Sequence, residues 1–181
     1  MNKRMLMIAE IAIMSALGVI LGFIKLGGPW AFGGSVSLEM VPIFLMAFRR
    51  GLAGGVLTGL MIGILQLIIN PFIVHPVQLV LDYPLAFLLV GLAGIVTPNS
   101  RDSYRKRIWL IILGTFIGSL FRLISHVISG VIFFASAAPE GTPVWIYSIT
   151  YNSTYIIPTF ILTVILLVLL SKTAPKLVHG E

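Results

Sequence analysis

The chain has no cysteine, and only 10% of its 181 residues are charged. The missing cysteines exclude disulfides, thiolate metal sites and cysteine catalysis together. Scarce charge, 58% hydrophobic residues and a mean hydropathy of +1.07 exclude an ordinary soluble domain. No G-x-x-x-x-G-K-[ST] phosphate loop occurs, so the chain has no nucleotide-binding motif of that kind. A net charge of +6 would suggest nucleic acid in a soluble protein. Here the basic residues lie in short connections between apolar runs, which marks orientation in lipid instead. The basic Lys3-Arg4 and the apolar run after it carry no A-x-A cleavage site, so this run reads as a retained first span.

What is there reads as one all-α integral membrane domain over 1–181, with six transmembrane helices at about 5–24, 38–48, 51–69, 76–96, 108–135 and 144–170. Helices of about 20 residues cross about 30 Å of hydrocarbon. The 38–48 element is too short to cross upright, so it is expected to tilt or to borrow from the Gly-rich loop 25–37 before it. Gly55, Gly59 and Gly63 recur every fourth residue and predict close helix packing. Six spans put the N-terminus, the 49–50 turn, the 97–107 loop and the C-terminus on one side. That side carries Lys3, Arg4, Arg49, Arg50, Arg101, Arg105, Lys106, Arg107, Lys172 and Lys176, leaving only Lys25 and Arg122 elsewhere. The expected topology is therefore N-in and C-in, in a multi-pass protein of the cell membrane.

The polar residues inside the spans mark the candidate site. Arg122, His126 and Gly130 recur at i, i+4 and i+8 on one helical face. Counted inward from the outer ends, Asp82 and Gly130 lie roughly 9 Å deep, His126 about 15 Å and Arg122 about 21 Å. Tyr147 and Asn152 come from the last helix at roughly 6 and 13 Å. Together these groups predict a polar, aromatic-lined cavity in the outer half of the membrane, beneath the loop that carries Trp30. Carboxylates beside aromatic faces suit a cationic or heteroaromatic ligand. Arg122 has three possible acceptors: Asp82, Glu39 or the ligand. A purely structural interhelical network is the competing reading for Arg122 and His126, and packing or an interfacial belt is the competing reading for Tyr147, Tyr151 and Tyr155. His75, beside Pro76, reads as a capping residue, and Glu10 is assigned no site.

Leu81-Asp82-Tyr83, Arg122-Leu-Ile-Ser-His126-Val-Ile-Ser-Gly130-Val-Ile-Phe-Phe134 and Tyr147-Ser148 with Asn152 closely resemble the thiamin-specific substrate-binding subunit, or S-component, of energy-coupling-factor transporters. The resemblance covers essentially the whole chain. It implies a six-helix S-component of a prokaryotic cell membrane that binds thiamin beneath its first outer loop, uses no cofactor and has no enzymatic activity of its own. Its implied partners are a transmembrane coupling subunit and two cytoplasmic ATPase subunits. Carried over by position, the ligand set is Asp82, Tyr83, Arg122, His126, Gly130, Phe134, Tyr147, Asn152 and Trp30. Asp82, Arg122, Tyr147 and Asn152 would hold the pyrimidine, and the thiazolium would lie on aromatic and His126 faces. Ala12 and Ala16 on the first helix match the small residues that contact the coupling subunit. The chain departs from some members at Asp82 (Glu), Arg122 (Lys) and Phe134 (Trp), and Trp30 lies a few residues early. The alternatives are the same fold for a thiamin precursor or another vitamin, an intramembrane enzyme using Asp82 and His126 as acid and base, and a structural bundle or channel.

Overall fold

The structure, a computed structural model, describes residues 2–179. Met1, Gly180 and Glu181, the ends of the domain expected over 1–181, lie outside the described residues. Among the described residues, five helices are long and apolar enough to cross a membrane: α1 (Lys3–Phe23), α2 (Val41–Ile69), α3 (Pro76–Ile95), α4 (Tyr104–Phe133) and α5 (Val144–Thr173). A short α6 (Pro175–His179) ends the described chain. The expectation of an all-helical chain is corrected in one place. Strands β1 (Lys25–Leu26) and β2 (Val36–Ser37) pair antiparallel, with Lys25 opposite Ser37, and hold the base of the Gly-rich loop. Large apolar side chains such as Ile8, Ile13, Ile20, Trp109 and Ile132 are exposed along the helices. Apolar surface on that scale belongs against lipid.

The segments expected at 38–48 and 51–69 form one apolar stretch that folds back on itself. Gly51 has φ 70° and ψ −164°, a conformation essentially reserved for glycine. Beyond it the limbs run side by side: Gln66 Nε2 donates to Glu39 Oε2 at 3.2 Å, although the residues are 27 apart. A Cβ on Gly55 would stand 2.7 Å from the Ala47 Cβ. The first limb is central in the bundle. Every residue from Glu39 to Phe48 is buried, and Met40, Phe44 and Phe48 pack with Ile62, Phe87, Val90, Ile111 and Leu167. A helix apolar on all sides is stable only when surrounded.

The glycine stripe of the second limb lets it lie backbone against backbone on α3. Cβ atoms at Gly55 and Gly63 would each be 2.7 Å from a carbonyl oxygen, those of Gly91 and Tyr83, and one at Gly59 would strike the Phe87 carbonyl. In lipid, close van der Waals approach of this kind drives helix association in place of the hydrophobic effect. Within α3, Pro84 supplies no N–H, and Leu81–Leu85 widens into a π-helical turn around it. The Leu81 carbonyl in that turn accepts from Ser125 Oγ of α4 at 2.7 Å. Helix α4 starts before the expected residue 108, because Ser103 caps it by accepting from Lys106 N. Its first turn therefore carries Arg105, Lys106 and Arg107, unfavourably placed on the positive end of the helix dipole. Lys106 Nζ meets Asp102 Oδ1 at 2.6 Å and holds that carboxyl below its usual range.

Candidate ligand-binding site

The polar residues of α3, α4 and α5 converge with the β1–β2 loop and the end of α2 on a cavity of about 300 Å³. This volume is at the lower end of small-molecule pockets, about 300–1,000 Å³. Of the nine residues expected at the site, Asp82, Tyr83, Arg122, His126, Gly130, Phe134, Tyr147 and Asn152 line it. Trp30 does not. It stands behind the wall, edge-on to Tyr155 at 5.9 Å between ring centroids, with its Nε1 donating to Thr154 Oγ1 at 2.8 Å. The wall also includes Glu39, Gln66, Gln78, Phe32, Tyr151 and Tyr155.

A continuous polar chain crosses the cavity floor. Arg122 Nη2 bonds Glu39 Oε1 at 3.0 Å, and Arg122 Nε donates to His126 Nε2 at 3.3 Å. His126 Nδ1 lies 3.2 Å from Asp82 Oδ1, and Gln78 Nε2 donates to Asp82 Oδ2 at 2.6 Å. A guanidinium can only donate, so His126 Nε2 accepts and the imidazole proton sits on Nδ1, toward the carboxylate. The floor thus sets two carboxyl groups, Glu39 and Asp82, against one guanidinium, with the imidazole between Arg122 and Asp82. Lys25, exposed on β1, also lines the cavity. The guanidinium carbon is also 4.4 Å from the centroid of the Phe87 ring. Of the three acceptors open to Arg122 in the sequence, the structure pairs it with Glu39 and adds His126. Among the described residues, no group of three His, Asp or Glu is placed to hold a metal.

The upper wall is aromatic. Phe134 lies between Phe32 at 5.6 Å and Phe72 at 6.1 Å, and Tyr155 meets His126 edge-on at 6.1 Å. Asn152 is held by the protein: its amide nitrogen donates to Ser148 O at 2.9 Å, and its side-chain oxygen accepts from the Tyr155 hydroxyl. Gly130 faces Ser148 so closely that a Cβ there would strike the Ser148 hydroxyl. The loop 25–37 is tied down over α5. Tyr151 Oη donates to Gly33 O at 2.8 Å and accepts from Phe32 N at 3.0 Å. Tyr83 accepts from Phe72 N at 2.7 Å and so fixes the 70–75 loop. His75 is a cap, as expected: Nδ1 accepts from Val77 N, and its ring stacks on Phe133 at 5.0 Å. Glu10 is paired away from the site, with Arg49 at 2.9 Å and Arg50 at 2.5 Å.

These features define a multi-pass helical membrane protein built around a ligand-sized polar cavity. The family model described as Thiamine transporter protein (Thia_YuaJ) matches residues 8–179. The chain belongs to that family. It is 47% identical to the Thiamine transporter ThiT of Bacillus subtilis (strain 168), over 99% of this chain and 97% of that one. It is 32% identical to the ThiT of Lacticaseibacillus paracasei, over 97% and 92%. Its fold superposes on the solved structure of ThiT from Listeria monocytogenes with a TM-score of 0.91 and 30% identity, covering 99% of this chain and all of that one.

Proposed function

We propose that this chain is the thiamin-binding subunit of an energy-coupling-factor importer, capturing the vitamin in the cavity beneath the 25–37 loop. The observation that carries the reading is the floor: two carboxyl groups face one guanidinium, with an imidazole between them, beneath an aromatic wall. Thiamin is a monocation with an aminopyrimidine and a thiazolium ring. Its charge suits the carboxyl groups, and its rings suit the aromatic wall. Asp82, Arg122, Tyr147 and Asn152 hold the pyrimidine, and the thiazolium lies against His126, Phe134 and their aromatic neighbours. Among the described residues Arg122 Nη1 and the Tyr147 hydroxyl have no hydrogen-bond partner, so both are available to a ligand. Asn152 takes part by exchanging one of its bonds to Ser148. Tyr83 and Gly130 shape the wall, and Trp30 backs Tyr155.

In this reading the two limbs of α2 count as separate spans, giving six, and the basic residues place both termini in the cytoplasm. The chain hydrolyses no ATP. It works with a transmembrane coupling subunit and two ATPase subunits, meeting the coupling subunit at Ala12 and Ala16, both exposed on α1. Calorimetric titration of the detergent-purified chain with thiamin, against riboflavin and biotin as controls, tests the binding role. Saturable submicromolar binding of thiamin alone is expected, and no heat at micromolar thiamin overturns it. Uptake into vesicles only with all partners and ATP tests the coupling.

A further inference from the structure

Ser129 lines the cavity, is 1% exposed, and its hydroxyl has no hydrogen-bond partner. Buried helical hydroxyls elsewhere in this protein are satisfied: Thr115 donates to Ile111 O at 2.7 Å, and Thr159 to Tyr155 O at 2.7 Å. Other buried hydroxyls do lack partners, among them Ser15, Thr58, Ser119 and Thr163, but none of these lines the cavity. An unmade hydrogen bond at a buried hydroxyl is costly, and the hydroxyl can turn about Cα–Cβ to recover it.

Position on α4 relates Ser129 to Asp82. Ser129 is one turn beyond Ser125, whose hydroxyl bonds the Leu81 carbonyl next to Asp82. It is also three residues beyond His126, whose Nδ1 meets Asp82. Ser129 therefore lies on the side of α4 that packs on the Asp82 turn. An aminopyrimidine presents an amine donor beside ring-nitrogen acceptors. A carboxylate takes the amine but can offer nothing to the ring nitrogen.

We infer that Ser129 is a specificity-determining residue, donating its hydroxyl to a ring nitrogen of the aminopyrimidine whose amine Asp82 accepts. The inference rests on the thiamin-binding reading above and adds a residue that the resemblance does not assign. Calorimetry on the wild type, Ser129→Ala and Ser129→Cys tests it, using thiamin and its aniline analogue in which CH replaces both ring nitrogens. Both variants are expected to lose about 5- to 10-fold in affinity for thiamin. Neither should lose affinity for the analogue, and the melting temperature of unliganded Ser129→Ala should hold or rise. Wild-type affinity for thiamin in Ser129→Ala overturns the inference, as does an equal loss for both ligands or a lowered melting temperature with binding intact. A wild type that binds no thiamin removes the underlying reading instead, and is seen before any variant is compared.

Discussion

Glu39 and Arg122, 83 residues apart in the chain, meet at 3.0 Å on the cavity floor with side chains 11% and 10% exposed. A pair this buried depends on both members, because removing one leaves the other charge uncompensated. Glu39→Gln keeps an acceptor for Arg122 and Gln66 but removes the negative charge. Affinity for thiamin is expected to fall about 10- to 100-fold, with a loss of about 1–3 kcal/mol in unliganded stability. An uncharged thiophene isostere of thiamin should lose far less, since it brings no cation to the floor. Calorimetry with both ligands checks this, and equal losses would remove charge balance as the basis of selectivity.

Gly51 gives a cleaner test of the fold than of the site. A Cβ there meets nothing within 4 Å, so Gly51→Ala introduces no clash. It does force a side chain onto φ 70° and ψ −164°, a conformation costing about 1–3 kcal/mol. The melting temperature should fall by roughly 2–12 °C. Molecules that remain folded should bind thiamin normally, because the turn is remote from the cavity. An unchanged melting temperature would mean that the limbs of α2 join without this turn.

The site was legible where polarity interrupts an apolar helix. Arg122, His126 and Asp82 stand out because a charge inside a span is costly, and the i, i+4, i+8 spacing gave the face. In the sequence Glu39 stands out only as one of three acceptors for Arg122, and Gln66 not at all. The turn expected at 49–50 brings the two limbs together, but which of their residues face each other depends on the backbone at Gly51, and a lone glycine beside Arg49-Arg50 says nothing about φ. Gln66 did leave a signal: it follows Gly63 by three residues and so extends the packing stripe of the second limb. Gln78 carried a similar one, four residues before Asp82, which it now holds at 2.6 Å. For Trp30 the resemblance supplies only a position, and the folded loop sets its indole against Tyr155, which lines the cavity, rather than on the cavity itself.

That displacement makes Trp30 a reporter rather than a binding group. Its ring contacts Tyr155, a wall residue, whereas Trp109 and Trp145 are 66% and 58% exposed on the outside of the bundle. Thiamin should change tryptophan fluorescence through Trp30, and Trp30→Phe should abolish most of the signal. Calorimetric affinity should fall by less than about 10-fold, the loss of one hydrogen bond and an edge contact behind the wall. A signal that survives Trp30→Phe would assign the response to another tryptophan.

Helix α1 separates two faces that a single substitution can distinguish. Ile11, Ser15, Gly18, Val19 and Gly22 are its buried stripe, and Glu10 pins its lower turns to Arg49 and Arg50. Ala12 and Ala16 lie just outside that stripe and are exposed. Small residues four apart allow a partner helix to approach closely, and an indole there prevents it. Ala12→Trp adds apolar surface where lipid already lies, so folding and thiamin affinity should match the wild type. Co-purification with the coupling and ATPase subunits should be lost, and with it ATP-driven uptake into vesicles. Retained assembly would place the coupling subunit on another face, and lost binding would mean that α1 reaches the cavity through more than Gly22, its only residue on the wall among those described.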